Sequence, residues 1–129
     1  MRVPIDRDVD IVSAWQKGRE LASQCGFPST DLAVVATAIS KLARNIVRYA
    51  VRGEIIMRLI ENNGRRGVEI LATDDGPGIA DVALAMQDGY STSGGLGLGL
   101  PGVRRLMDEF EITSDFGEGT TVTVRKWKR

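Results

Sequence analysis

Apolar positions fall at helical spacing in two early stretches of this 129-residue chain and at alternate positions in several shorter ones, so the pattern predicts two helices among strands. Ile11, Val12, Trp15, Leu21, Ala22 and Cys25 mark a first helix, stopped by Gly26. Pro28-Ser29-Thr30-Asp31 reads as a cap. It opens a longer amphipathic helix with Leu32, Val35, Ala36, Ile39, Leu42, Ala43, Ile46 and Ala50 along one side and an end near Gly53. A short strand at Arg2–Ile5 precedes both helices. Residues 54–61 and 68–74 alternate as strands joined by a glycine-bearing connection over 62–67. Residues 110–114 and 120–127 form a last pair around a turn at 115–119, after a helix starting near Leu100.

Composition narrows what such a chain can do. A 43% hydrophobic content suits one domain, 1–129, with a modest core. Seventeen basic and 17 acidic side chains cancel, so the charge balance points to neither nucleic acid nor membrane as a partner. The basic end Arg125-Lys126-Trp127-Lys128-Arg129 reads as a solvated strand end. With no histidine and one cysteine, a usual zinc site, histidine-based catalysis and an internal disulfide are excluded, and Cys25 reads as a core filler. No signal peptide or long apolar run is present, which makes the cytoplasm the expected location.

Gly94 to Gly102 carries five glycines in nine residues ahead of helix-like sequence. Glycine lets the main chain approach a ligand closely, and the N–H groups opening a helix favour an anion, so the stretch outlines either a phosphate site or a flexible surface loop. Gly97, Gly99 and Gly102 match the G-x-G-x-x-G spacing, but turn formers precede them where a dinucleotide fold needs a strand. No Gly-Lys-Ser/Thr closes a Walker loop either. Val68, Ile70, Ala72 and Asp74 share a strand face that is apolar until its last position, so Asp74 is aimed inward and needs a donor, while Asp75 points away. The other reading of Asp74 is a turn aspartate capping its own Gly76-Pro77-Gly78 loop. Gly76 and Gly78 would allow a flat ligand close. Thr120 shares a face with Val122 and Val124 and points inward from a strand start. On the long helix Lys41 and Asn45 share a polar stripe, and an asparagine oxygen suits Mg²⁺ held with water and substrate phosphates.

The order of these pieces resembles the Bergerat-type ATPases and kinases: a helix asparagine, a strand Asp-x-Gly-x-Gly, a glycine-rich loop before a helix, and a strand opening on Gly-Thr. More specifically it resembles the anti-sigma-factor serine/threonine kinases of the stressosome-switch, RsbT-like branch. Ile39 to Asn45, Asp74 to Ile79, Asp88 to Gly97 and Leu100 to Phe110 carry the likeness over nearly the whole chain. The resemblance implies a two-layer α/β sandwich with helices on one face of a mixed, largely antiparallel sheet, and it implies ATP and Mg²⁺ as cofactors. It makes Asp74 the acceptor for the adenine amino group, with Gly76, Gly78 and Thr120 in the same pocket. Asn45 becomes the Mg²⁺ ligand, and Gly95, Gly97, Gly99 and Leu100 form the lid and helix start over the phosphates. The implied partner is an anti-sigma-antagonist (STAS) domain phosphorylated on serine or threonine, followed by release to a downstream phosphatase. In one respect the chain departs from the pattern. Lys41 stands where the family has its general-base glutamate, and a protonated lysine has no lone pair to accept a proton. The implied activity is therefore either a kinase weakened by Lys41 or a non-catalytic, ATP-gated binding module.

Overall fold

The computed structural model describes residues 1–50, 52–76, 99–115 and 119–129, with the side chain of residue 115 left aside. In chain order it gives β1 (Arg2–Ile5), α1 (Asp8–Ser23), α2 (Ser29–Tyr49), β2 (Gly53–Asn62), β3 (Arg65–Asp74), α3 (Leu100–Leu106), β4 (Glu109–Asp115) and β5 (Gly119–Trp127). The strands form one sheet in the order β1-β2-β3-β5-β4. All four pairings are antiparallel, so among the described residues the sheet lacks the parallel pairing that a mixed sheet would have. Helices α1 and α2 pack on each other and on one sheet face, giving the expected two layers.

The core lies between those layers. Val35, Ile39, Leu42 and Ile46 of α2 meet Ile55 and Met57 of β2, Val68 and Ile70 of β3 and Val124 of β5, each at most 2% exposed. Gly18 of α1 sits where a Cβ would collide with Ile39 and meet the Met57 sulfur at 2.9 Å, so the missing side chain sets how closely α1 lies on the other elements. Cys25 is buried and donates its S–H to the Gly67 carbonyl, in keeping with a packing role. No helix among the described residues is long and apolar enough to cross a membrane.

Local chemistry moved several boundaries. The β2–β3 connection is a two-residue turn instead of six, because Asn63 and Gly64 both take positive φ (53° and 78°), as a type I′ hairpin requires, and pairing runs out to Asn62↔Arg65. Helix α2 starts directly after Pro28, whose extended backbone ends the preceding segment, and no side chain caps it. It stops at Tyr49, short of Gly53.

The sheet face away from the helices carries a row of charges in register: Arg58 of β2, Glu69 of β3, Arg125 of β5 and Glu109 of β4. Glu69 is only 4% exposed and accepts from Arg58 Nε (2.5 Å) and Arg125 Nε (2.7 Å), while Arg125 also reaches Glu109 (3.1 Å). Trp127 lies over Gly67 and donates its indole N–H to Glu109. The basic chain end is thus not simply solvated, because Arg125 and Trp127 are tied into the sheet.

Candidate functional site

Period-two alternation along β3 delivers Asp74 to the helix side of the sheet, next to buried Ala72 and Ile70. The backbone of Asp74 is gripped from both flanks. Gly53 of β2 pairs with Asp74 in register and Gly119 of β5 precedes its other partner, Thr120, and a Cβ on either glycine would collide with the Thr73 or the Asp74 carbonyl oxygen. Gly119 also has φ 88°, a backbone state that favours glycine. Asp74 Oδ1 accepts the Gly76 N–H at 2.9 Å, and the Thr120 N–H also serves the carboxylate. Both readings of Asp74 hold together: it caps its own turn and still stands half-buried at the end of an apolar face. Burial raises its pKa above the ordinary carboxylate value, and the two backbone donors only partly offset this. A further donor from a ligand would relieve that strain on the charged form.

Asp75 points the other way, as expected, and ties Arg52 through its backbone N–H (3.1 Å) and Nε (3.4 Å). Gly76 has a packing reason of its own. The space where its Cβ would stand is taken by the end of α2, 2.8 Å from the Tyr49 carbonyl oxygen and 3.0 Å from the Ala50 Cβ, so its smallness serves packing against the helix. Gly78, Gly95 and Gly97 lie outside the described residues.

Thr120 sits opposite Asp74 on one side and opposite Ser114 of β4 on the other. Its hydroxyl is 2.8 Å from Ser114 Oγ. Ser114, which the sequence alone did not single out, adjoins Thr120, since a serine at a strand end is unremarkable until register places it there. The result is a polar row, Asp74–Thr120–Ser114, across the margin of an otherwise apolar face.

Lys41 and Asn45 come from α2, one turn apart and both half-buried. The Lys41 ammonium lies 3.9 Å from the points where a Cβ of Gly99 or Gly102 would stand, so it lies against the start of α3. Gly99 caps that helix in the left-handed region (φ 67°). Leu100 follows with its side chain in the core, 2% exposed, leaving its backbone as the part able to serve a ligand. The structure therefore brings Lys41, Gly99 and Gly102 together at one place, and Asp74, Thr120 and Ser114 together at another. Lys41 also lines a groove of ≈460 Å³ with Trp15, Arg19, Thr37, Ser40 and Arg44. A second hollow of ≈580 Å³, at the far end of the sheet, is lined by Asp108, Glu109, Trp127 and Arg129, which already bond one another.

The donor set suits a metal–nucleotide better than a bare metal. Among the described residues no group of three or more carboxylate, cysteine or histidine side chains converges. A single asparagine oxygen fits Mg²⁺, which keeps water and takes the remaining ligands from phosphates. The half-buried Asp74 carboxylate fits an amino donor.

Comparison with known proteins identifies the family. Residues 30–129 match the family described as histidine kinase-, DNA gyrase B-, and HSP90-like ATPase. The serine/threonine-protein kinase RsbT of Bacillus subtilis is 52% identical over 127 residues, covering 98% of this chain and 96% of its own length. An anti-sigma F factor of Caldanaerobacter subterraneus is 31% identical over 112 residues, 82% of this chain and 77% of its own. That of Geobacillus stearothermophilus is 29% identical over 107 residues, 77% and 72% of the two chains. A sheet that ends in a half-buried aspartate, a helix lysine lying against the glycine-led α3 with an asparagine one turn on, and this extent of identity have one common reading: the chain belongs to the histidine kinase-, gyrase- and HSP90-like ATPase family, on its RsbT-like branch.

Proposed function

We propose that this chain is an ATP- and Mg²⁺-dependent serine/threonine protein kinase of the anti-sigma regulatory type, acting in the cytoplasm on a STAS-domain antagonist in partner-switching control of a stress response. The observation that carries the reading is Asp74: a half-buried carboxylate with a raised pKa, held between two glycine-flanked strands and facing the side where a ligand donor is needed. Supporting it are the family match and the 52% identity to a protein named as a serine/threonine kinase.

In this reading Asp74 accepts from the adenine amino group and Thr120 completes that end of the pocket. Asn45 gives its side-chain oxygen to Mg²⁺, whose contribution is to neutralise charge on the phosphates. Gly99 and the main chain opening α3 lie near the phosphate end. Once phosphorylated, the STAS partner lets go and the kinase passes to a downstream phosphatase.

Lys41 supports a second reading. An ammonium at the family's base position cannot take the proton of a substrate hydroxyl, and from beside Gly99 and Gly102 it acts as a fixed positive charge. The chain is then a catalytically impaired, ATP-gated module that sequesters its partner. Single-turnover transfer of labelled γ-phosphate to a STAS-domain partner, both proteins saturated with ATP, separates the two. In the weakened-kinase reading Lys41→Glu speeds transfer by about 10² or more while nucleotide affinity changes far less, since a lost base costs about 10² to 10⁴ in rate. Equal rates would show that positioning alone carries the reaction. No transfer by either protein, with partner binding intact, favours the sequestering module.

A further inference from the structure

Helices α1 and α2 leave a trough between them on their outer side. The groove of ≈460 Å³ that Lys41 lines adjoins a hollow of ≈510 Å³, because Trp15 and Arg19 line both. On α2 the lining runs from Leu32 to Arg44, so the trough follows about 18 Å of helix. Leu32, Ala33 and Ala36 of α2 and Trp15 of α1 make its apolar part, each exposed or half-buried where an outer helix face is ordinarily polar. The one-carbon side chains of the two alanines leave the room. Cations gather toward one end: Lys41 and Arg44 come from neighbouring turns of α2, and Arg19 joins them from α1. Among the described residues none of the three is ion-paired, whereas Arg2, Arg52, Arg58, Arg125 and Arg129 all are. Toward the other end lie Leu32 and the carboxylate of Glu20. A small polyanion would satisfy the cations and leave the apolar part bare. A helix of about three turns meets both, with an apolar stripe on Trp15, Ala33 and Ala36 and carboxylates toward Arg19, Lys41 and Arg44.

We propose that the trough between α1 and α2 is a docking site for an amphipathic helix of a partner protein, apolar along one stripe and acidic over the half that meets Lys41 and Arg44. The apolar part gives the contact and the graded charge sets the direction in which the helix lies. The site is separate from Asp74 and does not depend on the nucleotide reading.

The probe is a fluorescein-labelled helical peptide of about 14 residues, with leucines at i, i+3, i+7 and i+10, glutamates flanking that stripe over one half, and alanine elsewhere. Its binding to the full chain is read by fluorescence anisotropy. The peptide binds, and binding weakens as salt is raised. Arg19→Glu combined with Arg44→Glu weakens it about 10-fold or more, since two attractions become repulsions. Ala33→Glu, which puts a carboxylate into the apolar part, does the same. All three positions are exposed, so both variants keep the parental melting temperature, and if one melts low the other decides. Failure of the peptide to bind, or equal binding to parent and variants, overturns the inference. So does equal binding of a peptide of the same charge broken by two central prolines, which would show attraction by charge alone. Sedimentation of the chain by itself as a dimer that Ala33→Glu splits would give the trough to a second copy and overturn it as well. None of these outcomes bears on the rise in melting temperature with ATP, which tests the nucleotide reading separately.

Discussion

On the proposed nucleotide reading, Asp74 sets function against stability within a single side chain. Burial raises its pKa, so ionisation is harder in the folded chain than in the unfolded one. The folded state therefore holds the proton more tightly, and stability falls as pH rises from the ordinary value of 3.8 through the raised one. The penalty is absent below that window and complete above it. Asp74→Asn removes the charge and keeps an oxygen for the Gly76 N–H. Without nucleotide, the variant should melt no lower than the parent at pH 7. It should also lose most of the rise in melting temperature that ATP gives, because the amide can turn an N–H toward the adenine amino group and leave a donor unpaired. Thermal melts of both proteins with and without ATP check both halves. Asp74 was legible in the sequence because alternation in a strand dictates a face. The packing reason for Gly76 was not legible: a glycine shows where a side chain is missing, and only the fold shows that Tyr49 and Ala50 use the room.

At the level of elements, the helices and strands were legible because their apolar periods differ, whereas their ends depended on single turns. The Asn63-Gly64 pair let β2 and β3 run further than alternation alone suggested. Substituting Gly64, where φ is 78°, with alanine should cost about 1 kcal/mol, the usual scale for a left-handed position, and urea unfolding would measure it. Gly18 was silent in the sequence, since a glycine inside a helix reads as a loss of about 1 kcal/mol against alanine. Its reason is the close packing of α1 on Ile39 and Met57. Gly18→Val should therefore destabilise by about 1–3 kcal/mol through overpacking, and a wild-type midpoint would show that α1 can move away without cost.

Across the whole molecule, the helix face of the sheet holds the apolar core and the site, and the opposite face holds the row Arg58–Glu69–Arg125–Glu109. This row was not legible, because pairing β5 between β3 and β4 is what brings residues so distant in sequence into line. Arg58 holds the Glu69 carboxyl below its ordinary value of 4.5 against the opposing effect of burial, with Arg125 adding to it. Its contribution is present above that value and lost as pH falls through the lowered one, opposite in slope to Asp74. Glu69→Gln should cost about 1–3 kcal/mol at neutral pH and flatten the acid side of the stability profile, as urea midpoints between pH 3 and 7 would show. The glycines that grip Asp74 have a further effect on how genetic data from this protein would read. A selection that scores survival alone would rank Gly53 and Gly119 beside Asp74 and draw an apparent ligand shell larger than the real one. On the proposed reading, purified variants would separate the two classes: changes at the glycines should lose the folded chain, and Asp74→Asn should keep the fold but lose most of the response to nucleotide.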